Sequence, residues 1–384
     1  MGNFTAELRK MRCIIIQPYV APYRYDFFRM LAGKIDLKVL YLWPTPGVDE
    51  SEETLQQKLG ACQVKRLTGG LTIKGYYAIR FQLKKEIESF NPDWVITHEY
   101  NTISLQVWLL QKLFYKKWRW GIWSSDNAMM AVACSGLRRR ARDFFAGRCD
   151  ELLLYSGSVK DEYQKILPFT KDKILICPNL QSTSRLREEA DAALRNLPYP
   201  EELEQLAEKK IFLYVGRLAA EKNLPGMIRA FALAEVPDSV LVIVGEGHEK
   251  EKLIRTAYDC GVEKRIVFAG KKTGMELLRF YLAADLFLLV SKRETFGAVV
   301  NEALALGVPV VLSANTGAKE LINQHNGCLV QPENVADISQ KIATMAAGIE
   351  RGDKSRLRPA LIPDLLPRYV DEFIRVLSQK VNDK

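Results

Sequence analysis

Two glutamates separated by seven residues stand in a segment whose residue types suit the binding of a sugar nucleotide. Glu294 opens the run Glu294-Thr295-Phe296-Gly297, and Glu302 follows among apolar residues. Gly297 is predicted to precede a helix, and Gly307 to end it. The free N–H groups of a helix start bind phosphate, and carboxylates accept hydrogen bonds from sugar hydroxyls. The pattern favours such a site over a surface helix with two ordinary glutamates.

Two cations stand in a second segment, residues 215–223, which follows an apolar run. Gly216 allows a sharp turn there. Arg217 and Lys222 then project from a predicted strand-to-helix loop. From that position they are able to grip a diphosphate, and the equal alternative is a pair of solvated surface cations.

A third segment, residues 245–248, begins like a dinucleotide-binding loop with the sequence Gly-Glu-Gly-His. Glu249 and Lys250 follow where that loop needs a third glycine, and a Gly-x-Gly pair alone is a weak signal. The segment is predicted to be a tight turn, with His248 at the surface.

Short runs rich in Val, Ile and Leu must position these loops. They alternate with segments of helical spacing, which is typical of parallel sheets buried on both faces. The predicted strands are 13–17, 37–42, 94–97, 120–123, 152–155, 174–177, 211–215, 240–244, 266–269, 286–290, 308–312 and 328–330. The pattern restarts after a polar stretch at 182–210. We therefore predict a domain of residues 1–200, onto which a C-terminal helix within 361–384 packs back, and a second domain of residues 201–360.

Composition narrows the class of protein. The chain has 384 residues, 48% of them hydrophobic and 26% charged, which suits two globular domains. The seven cysteines are scattered and form no Cys-x-x-Cys pair, which indicates reduced thiols of a cytosolic protein instead of a zinc site or disulfide framework. No apolar stretch approaches the roughly 18–20 residues that span a bilayer.

The cation pair and the two glutamates together resemble family 4 of the retaining glycosyltransferases. The resemblance runs from residue 211 to about residue 337 and includes the stretches 266–270 and 281–285. It implies an α/β GT-B fold, in which two Rossmann-like domains face each other across a cleft. It also implies a retaining, metal-independent reaction, and the chain contains no Asp-x-Asp pair of the kind that carries a metal in other glycosyltransferases.

The resemblance assigns roles to individual residues. Arg217 and Lys222 would contact the donor diphosphate, Glu302 the ribose and Glu294 the transferred sugar. Backbone amides near Phe296 would hold the sugar and the distal phosphate. The implied donor-binding residues are Gly216, Arg217, Lys222, Glu294, Thr295, Phe296, Gly297 and Glu302.

The first half departs from the family. In place of a glycine-rich loop it has a Pro-Tyr-Arg sequence, like a bacterial subgroup, so Tyr23 and Arg24 are candidates for acceptor or phosphate contact; the alternative is a rigid turn. The histidine that many members carry is missing at the expected place, where Asp126 is a substitute candidate. His98 at a strand end is a second catalytic candidate, although such a residue is more often structural.

The expected function is transfer of a hexose-type sugar from a UDP- or GDP-linked donor to a glycan or lipid-linked acceptor. A sugar-nucleotide epimerase or a non-catalytic binder of the same fold is the alternative. The net charge of +9 includes nine Lys or Arg against two acidic residues between Lys112 and Arg148. No nucleic-acid recognition module is visible, so nucleic acid is not expected as a partner.

The basic region also allows an anionic membrane surface as a partner. The segment 108–118 mixes aromatic residues with lysines at spacings that suit an interfacial helix, and Arg138, Arg139, Arg140 and Arg142 follow. The alternative is an ordinary helix with its apolar face in the core. A cytoplasmic protein, peripheral on the inner membrane face, is the expectation.

Overall fold

The computed structural model describes residues 10–48, 50–73, 77–114, 118–206, 208–349, 354 and 356–382. The chain divides into two compact units. The first unit comprises Met1–Pro178 and Leu366–Lys384, and the second comprises Asn179–Leu365.

The first unit contains a parallel sheet with helices on both faces. Its strands are β1 (Arg12–Gln17), β2 (Asp36–Tyr41), β3 (Gln63–Arg66), β4 (Gly70–Ile73), β5 (Tyr77–Arg80), β6 (Trp94–His98), β7 (Arg119–Trp123), β8 (Glu151–Leu154) and β9 (Ile174–Ile176). Its helices before the second unit are α1 (Tyr25–Ala32), α2 (Glu52–Leu59), α3 (Leu83–Phe90), α4 (Thr102–Leu113), α5 (Ala128–Ala133), α6 (Gly136–Arg148) and α7 (Gly157–Ile166).

The strand order of this sheet is β3-β2-β1-β6-β7-β8-β9, and every pairing among them in the described residues is parallel. β4 and β5 form a separate antiparallel pair. The apolar runs predicted as strands are buried from both sides, as in β1, where Cys13 to Ile16 are at most 1% exposed. Strands β1, β6 and β7 are parallel neighbours, so their carboxyl ends lie at the same edge of the sheet.

The second unit has the same architecture. Its elements in chain order are α8 (Thr183–Asn196), β10 (Lys210–Val215), α9 (Leu224–Leu233), β11 (Ser239–Val244), α10 (Lys250–Asp259), β12 (Ile266–Gly270), α11 (Gly274–Ala283), β13 (Leu286–Leu289), α12 (Ala298–Ala305), β14 (Val310–Ser313), β15 (Gly327–Val330) and α13 (Val335–Gly348). The strands follow the order β12-β11-β10-β13-β14-β15, all parallel in the described residues.

The strand order reverses at β10. The chain first adds β11 and β12 on one side of β10 and then crosses to place β13 on the other. At such a switch point the loops after the two central strands leave in opposite directions and open a crevice beyond the carboxyl edge of the sheet. The loops after β10 and β13 are the two that carry the cations and the first glutamate.

The C-terminal helix α14 (Leu366–Asn382) belongs to the first unit. The Phe373 ring meets the Phe27 ring of α1 edge-on at 5.5 Å, and the Trp94 indole donates to the Leu377 carbonyl at 3.1 Å. The second unit begins at Asn179, so the helix α8, which the sequence analysis placed before the boundary at residue 200, is part of the second unit. Its buried face, with Leu186, packs toward α11 and α12.

Among the described residues, no helix combines the length and the apolar character that a membrane crossing needs.

Candidate functional site

The loops that follow β10 and β13 are tied to each other by backbone hydrogen bonds. The Lys292 amide donates to the Glu221 carbonyl at 2.9 Å. Asn223, in a left-handed conformation with φ 55°, donates through its side-chain amide to the Val290 carbonyl at 3.3 Å. The side-chain amide of Asn315 in turn donates to the Lys292 carbonyl at 3.1 Å, which adds the loop after β14. Three loops at the carboxyl edge of the sheet therefore form one support.

Lys222 and Glu294 form an ion pair across these loops, from Nζ to Oε2. Their side chains are only 14% and 17% exposed. Arg217, in contrast, pairs with Glu221 at 2.8 Å and keeps 75% of its side chain exposed. One predicted cation is thus held beside a predicted carboxylate, and the other is exposed and paired with a neighbouring glutamate.

Glu302 lies on α12 with both carboxylate oxygens occupied. The Tyr281 hydroxyl donates to Oε2 at 2.8 Å, and the Gln181 side-chain amide donates to Oε1. The backbone of Gln181 also donates to Asn301 Oδ1 at 2.8 Å, so the chain just before α8 is fixed to α12. Burial raises the pKa of Glu302, and the two donors only partly offset that effect.

Gly297 immediately precedes α12 and has φ 89°, a left-handed conformation that residues other than glycine rarely adopt. The predicted start of this helix is confirmed. The first amides of α12 have no partner inside the helix and carry its positive end. Phe296 is buried, and its carbonyl accepts from the Ala318 amide at 2.8 Å, which holds the loop that includes Thr295. A helix start and the two predicted carboxylates therefore belong to one segment.

The Gly-Glu-Gly turn has a role that the sequence analysis did not assign. The Gly216 amide donates to the Val244 carbonyl at 3.0 Å, and the Leu218 amide donates to the Glu246 carbonyl at 2.8 Å. A Cβ on Gly245 would lie 1.9 Å from the Gly216 carbonyl oxygen. Only glycine at 245 lets the two loops approach so closely, so this turn supports the cation loop.

In the first unit, Pro22 to Arg24 form a short 3₁₀ helix. Arg24 is only 4% exposed; its guanidinium carbon lies 3.8 Å from the centre of the Trp123 ring, and a terminal nitrogen donates to the Tyr155 hydroxyl at 2.6 Å. Tyr23 remains half-buried. The Pro-Tyr-Arg sequence is thus both a rigid turn and the support of a buried cation.

Asp126 is fully buried, and both of its oxygens are used within the protein. Arg138 donates to Oδ1 at 2.6 Å, and the Tyr163 hydroxyl donates to Oδ2 at 2.7 Å. Arg138 also approaches Glu99 at 3.4 Å. This carboxylate holds α6 and α7 to the loop after β7, which leaves it without an exposed oxygen for a substrate.

His98 ends β6, as predicted. Burial, with a further contribution from the Arg24 charge, lowers its pKa to about 3. The imidazole is therefore neutral at physiological pH, so one ring nitrogen is able to accept a hydrogen bond and the other to donate one. Across the described residues, no group of three or more His, Cys, Asp or Glu side chains is arranged to hold a metal ion.

The sequence analysis missed Gln181, Tyr281 and Asn223 as parts of the site. Tyr281 stood in a stretch quoted only for its resemblance, and Gln181 precedes a helix assigned to the other domain. Pairing of Gln181 with Glu302 depends on tertiary packing and leaves no local sequence signal. Asn223 does have a local signal. Asparagine is one of the few residues besides glycine that adopt the left-handed conformation, and it stands directly before α9, whose first turn contains a proline.

Residues 199–353 match the family model described as glycosyl transferases group 1. An uncharacterized glycosyltransferase of Methanocaldococcus jannaschii is 37% identical over 134 residues, 34% of this chain and 34% of the relative. A GDP-mannose-dependent alpha-mannosyltransferase of Mycobacterium tuberculosis is 33% identical over 170 residues, 42% of this chain and 43% of the relative. The matches thus span less than half of these relatives.

Solved structures match nearly the whole chain. Sucrose-phosphate synthase from Thermosynechococcus elongatus has a TM-score of 0.65 at 18% identity and covers 97% of this chain and 96% of its own. HepE of Anabaena, in complex with UDP and glucose, has a TM-score of 0.64 at 18% identity over 97% and 98% of the two chains. These likenesses confirm the predicted fold class, GT-B with two Rossmann-like domains.

The raised pKa of Glu302 predicts a pH-dependent stability difference from Glu302→Gln. The folded protein keeps a proton on Glu302 at a pH where the unfolded chain, with the ordinary value of 4.5, has lost it. The free energy of unfolding of the wild type therefore falls, relative to the variant, as pH rises from about 4.5 through the raised pKa. Melting temperatures measured across pH 4 to 8 check this. Glu263→Gln, at an exposed site before β12, is the control and should show no such trend. A constant difference between wild type and Glu302→Gln would contradict the burial argument.

Proposed function

We propose that the protein is a glycosyltransferase that takes its sugar from a nucleotide-sugar donor bound at the carboxyl edge of the second sheet. The observation that carries the proposal is the joining of the loops after β10 and β13, which brings Lys222 and Glu294 into an ion pair beside the start of α12. The match of residues 199–353 to a glycosyltransferase family supports it. The named relatives are transferases, so nothing here favours the epimerase or the pure binder.

The donor diphosphate is a dianion or more, and the site offers three sources of positive potential for it. Arg217 is exposed and mobile enough to turn from Glu221 toward a phosphate. Lys222 is already positioned, and the first amides of α12 add the positive end of a helix dipole. In this proposal the cations and the helix start stabilise the negative charge that develops on the departing nucleoside diphosphate.

The two carboxylates act on different parts of the donor. Glu302 is buried and held by Tyr281 and Gln181, so it forms a fixed acceptor for the ribose hydroxyls. Glu294 is held by Lys222 and accepts from hydroxyls of the transferred sugar, which places that sugar beside the cation and the phosphate it leaves. In this proposal the sugar nucleotide is thus held at its ribose and at its sugar by one helix and the loop before it.

The finer assignments follow from the resemblance to family 4. The reaction retains the anomeric configuration and proceeds without a metal, because the protein cations carry the diphosphate charge. The sugar is a hexose and the donor is UDP- or GDP-linked. The first unit takes the glycan or lipid-linked acceptor, with Tyr23 and Arg24 near it. Asp126 acts as a positioning residue for the loop after β7, since its oxygens are bound to Arg138 and Tyr163.

The partition of the two glutamates is tested by nucleotide binding. Glu302→Ala should weaken the binding of UDP or GDP at least about tenfold, about 1.4 kcal/mol, because the ribose loses its fixed acceptor. Glu294→Ala should leave that affinity unchanged or slightly raised, because Lys222 is released toward the phosphates, while transfer is lost. Calorimetry with UDP and GDP checks both, with Glu263→Ala at the opposite edge of the sheet as control. Equal affinity in wild type and Glu302→Ala would overturn the assignment.

The charge argument predicts that transfer survives EDTA. Arg217→Ala should instead lower kcat/KM at least about tenfold, since about 1.4 kcal/mol of transition-state stabilisation corresponds to that factor. Arg229→Ala, an exposed arginine on α9, should have no effect. Initial rates of nucleotide release from UDP- and GDP-sugars, with and without chelator, make the measurement. A strict need for manganese or magnesium contradicts this part of the proposal.

A membrane-facing surface is proposed for α4, in a form that the packing refines. Trp108 packs edge-on against Phe144 at 5.2 Å, so it belongs to the core side of the helix. Leu109, Leu113 and Phe114 are exposed, with Lys84 over the Phe114 ring at 4.0 Å. Residues 115–117 of the predicted segment lie outside the described residues.

The second basic cluster contributes less than the sequence suggested. Arg138 is bound to Asp126, and Arg142 is buried and donates to the Ala131 carbonyl at 2.7 Å. Arg139 and Arg140 remain exposed on α6. The surface available to anionic lipid is therefore the exposed side of α4 with Lys112 and these two arginines.

Co-sedimentation with vesicles tests this surface. We expect binding to anionic vesicles at low salt that weakens at high salt, and little binding to neutral vesicles, since each cation near an anionic surface contributes about 1 kcal/mol. Leu109→Glu with Leu113→Glu should reduce binding severalfold, whereas Leu233→Glu, exposed on α9, should not. Binding that ignores lipid charge, salt and both leucines would point to a soluble acceptor instead.

A further inference from the structure

The carboxyl edge of the first sheet carries a set of buried hydrogen-bond donors that lack acceptors. His98 and Trp123 are register partners at the ends of β6 and β7. Ile16 pairs with Thr97, so Gln17 at the end of β1 lies next to His98. Register partners on neighbouring parallel strands face the same side of a sheet. Gln17, His98 and Trp123 therefore share the face that α1 covers.

Arg24 lies on that face with its charge unbalanced. Its guanidinium stacks on Trp123, and one of its five N–H groups donates to the Tyr155 hydroxyl. Among the described residues its guanidinium makes no other hydrogen bond, and no carboxylate lies within 4 Å of it. A buried cation is costly unless an anion or acceptors compensate it, and stacking on an aromatic ring supplies only part of that.

Two further donors in the same place are unsatisfied. The side-chain amide nitrogen of Gln17 and the indole nitrogen of Trp123 are both buried and have no hydrogen-bond partner. Buried polar groups in native proteins nearly always find a partner. The side chains Gln17, Arg24 and Trp123, called here the Arg24 cluster, thus bring two unpartnered N–H donors and a full positive charge together.

We propose that the Arg24 cluster binds an oxyanion, a phosphate or a carboxylate, and that this anion belongs to the acceptor substrate. The second part rests on the proposed function, because the donor phosphates are accounted for by the second unit. The planar guanidinium offers the forked geometry that matches both oxyanions, and the stacking on Trp123 holds that fork in place. The acceptor class that follows is an anionic one: a lipid-linked phosphate or diphosphate, or a glycan with an acidic sugar.

His98 supplies a local reporter for this site. The chain has three histidines, so their imidazole signals in an NMR spectrum can be assigned by single substitutions. The Arg24 charge already acts on His98, as its lowered pKa shows. His248, 75% exposed after β11, reports separately on phosphate at the second unit.

The experiment titrates the full chain with inorganic phosphate at constant ionic strength while the histidine signals are observed. We expect a saturable shift of the His98 signal in the wild type. Arg24→Lys keeps the charge but loses the fork, and should weaken this response at least tenfold; Arg24→Met should abolish it. Arg142→Lys, at a buried arginine paired with Asp143, is the matched control and should titrate like the wild type. The same titration in wild type and Arg24→Met overturns the proposal.

The Gln17→Leu variant tests the site independently, in case the Arg24 variants do not fold. It removes one unsatisfied donor and keeps the cation, so the protein should be at least as stable as the wild type and bind phosphate severalfold more weakly. An unchanged phosphate affinity in Gln17→Leu removes that residue from the site and, together with an unaltered Arg24→Lys, sinks the proposal.

Further measurements identify the source of the anion and distinguish this inference from the proposed function. A His98 response to phosphate but not to glucuronate indicates a phosphate-bearing acceptor, and the reverse indicates an acidic sugar; an equal response to glucose contradicts an anion site. UDP and GDP binding, measured in Arg24→Met, should equal that of the wild type. In the wild type, absence of a saturable His98 response together with intact nucleotide binding refutes only this inference, whereas a His98 response without nucleotide binding refutes only the proposed function.

Discussion

The position of β13 beside β10 is the constraint on which the second unit depends. These strands are far apart in sequence, and their pairing brings the loop of the cations against the loop of the first glutamate. The Lys222–Glu294 ion pair then becomes possible, and the start of α12 falls within the same support. Backbone hydrogen bonds between loops set this arrangement, so the side chains are positioned before any ligand arrives and need little reordering on binding.

Both units contain charged side chains that are largely removed from solvent, where an uncompensated charge is unfavourable. The partners that compensate these charges differ from one side chain to the next. Asp126 is matched by Arg138 and Tyr163, which makes it part of the framework of the first unit. Glu302 has only neutral donors as direct partners, and burial raises its pKa despite them. The partners of the Arg24 guanidinium are the Trp123 ring and the Tyr155 hydroxyl. The three charged side chains thus differ in how far their partners compensate them, and the proposed roles follow that difference: a structural one for Asp126 and ligand contact for Glu302 and Arg24.

Much of the architecture could be predicted from the sequence, because buried parallel strands are continuous apolar runs and their loops carry the glycines. The short strand β3 was missed, since it lies at the sheet edge and alternates exposed and half-buried residues. The helix start at Gly297 was predictable from local chemistry. Partners such as Gln181 for Glu302, and the burial of Asp126, depend on which distant elements pack together, and local patterns carry no information about that. The start of the second unit at Asn179 could not be predicted for the same reason, because α8 is polar on one side and its contacts lie with α11 and α12.

The burial of Glu302 has a consequence for how this protein changes over generations. Burial raises the pKa of Glu302, so a neutral residue that keeps an acceptor for the Tyr281 hydroxyl removes an unfavourable charge there. In a duplicated copy freed from selection for activity, replacement of Glu302 by glutamine would therefore meet less resistance from stability than replacement of Asp126, which both Arg138 and Tyr163 bind. Position 302 would therefore be among the first to drift in such a copy, and the identity of its residue would separate working descendants from relics that merely fold.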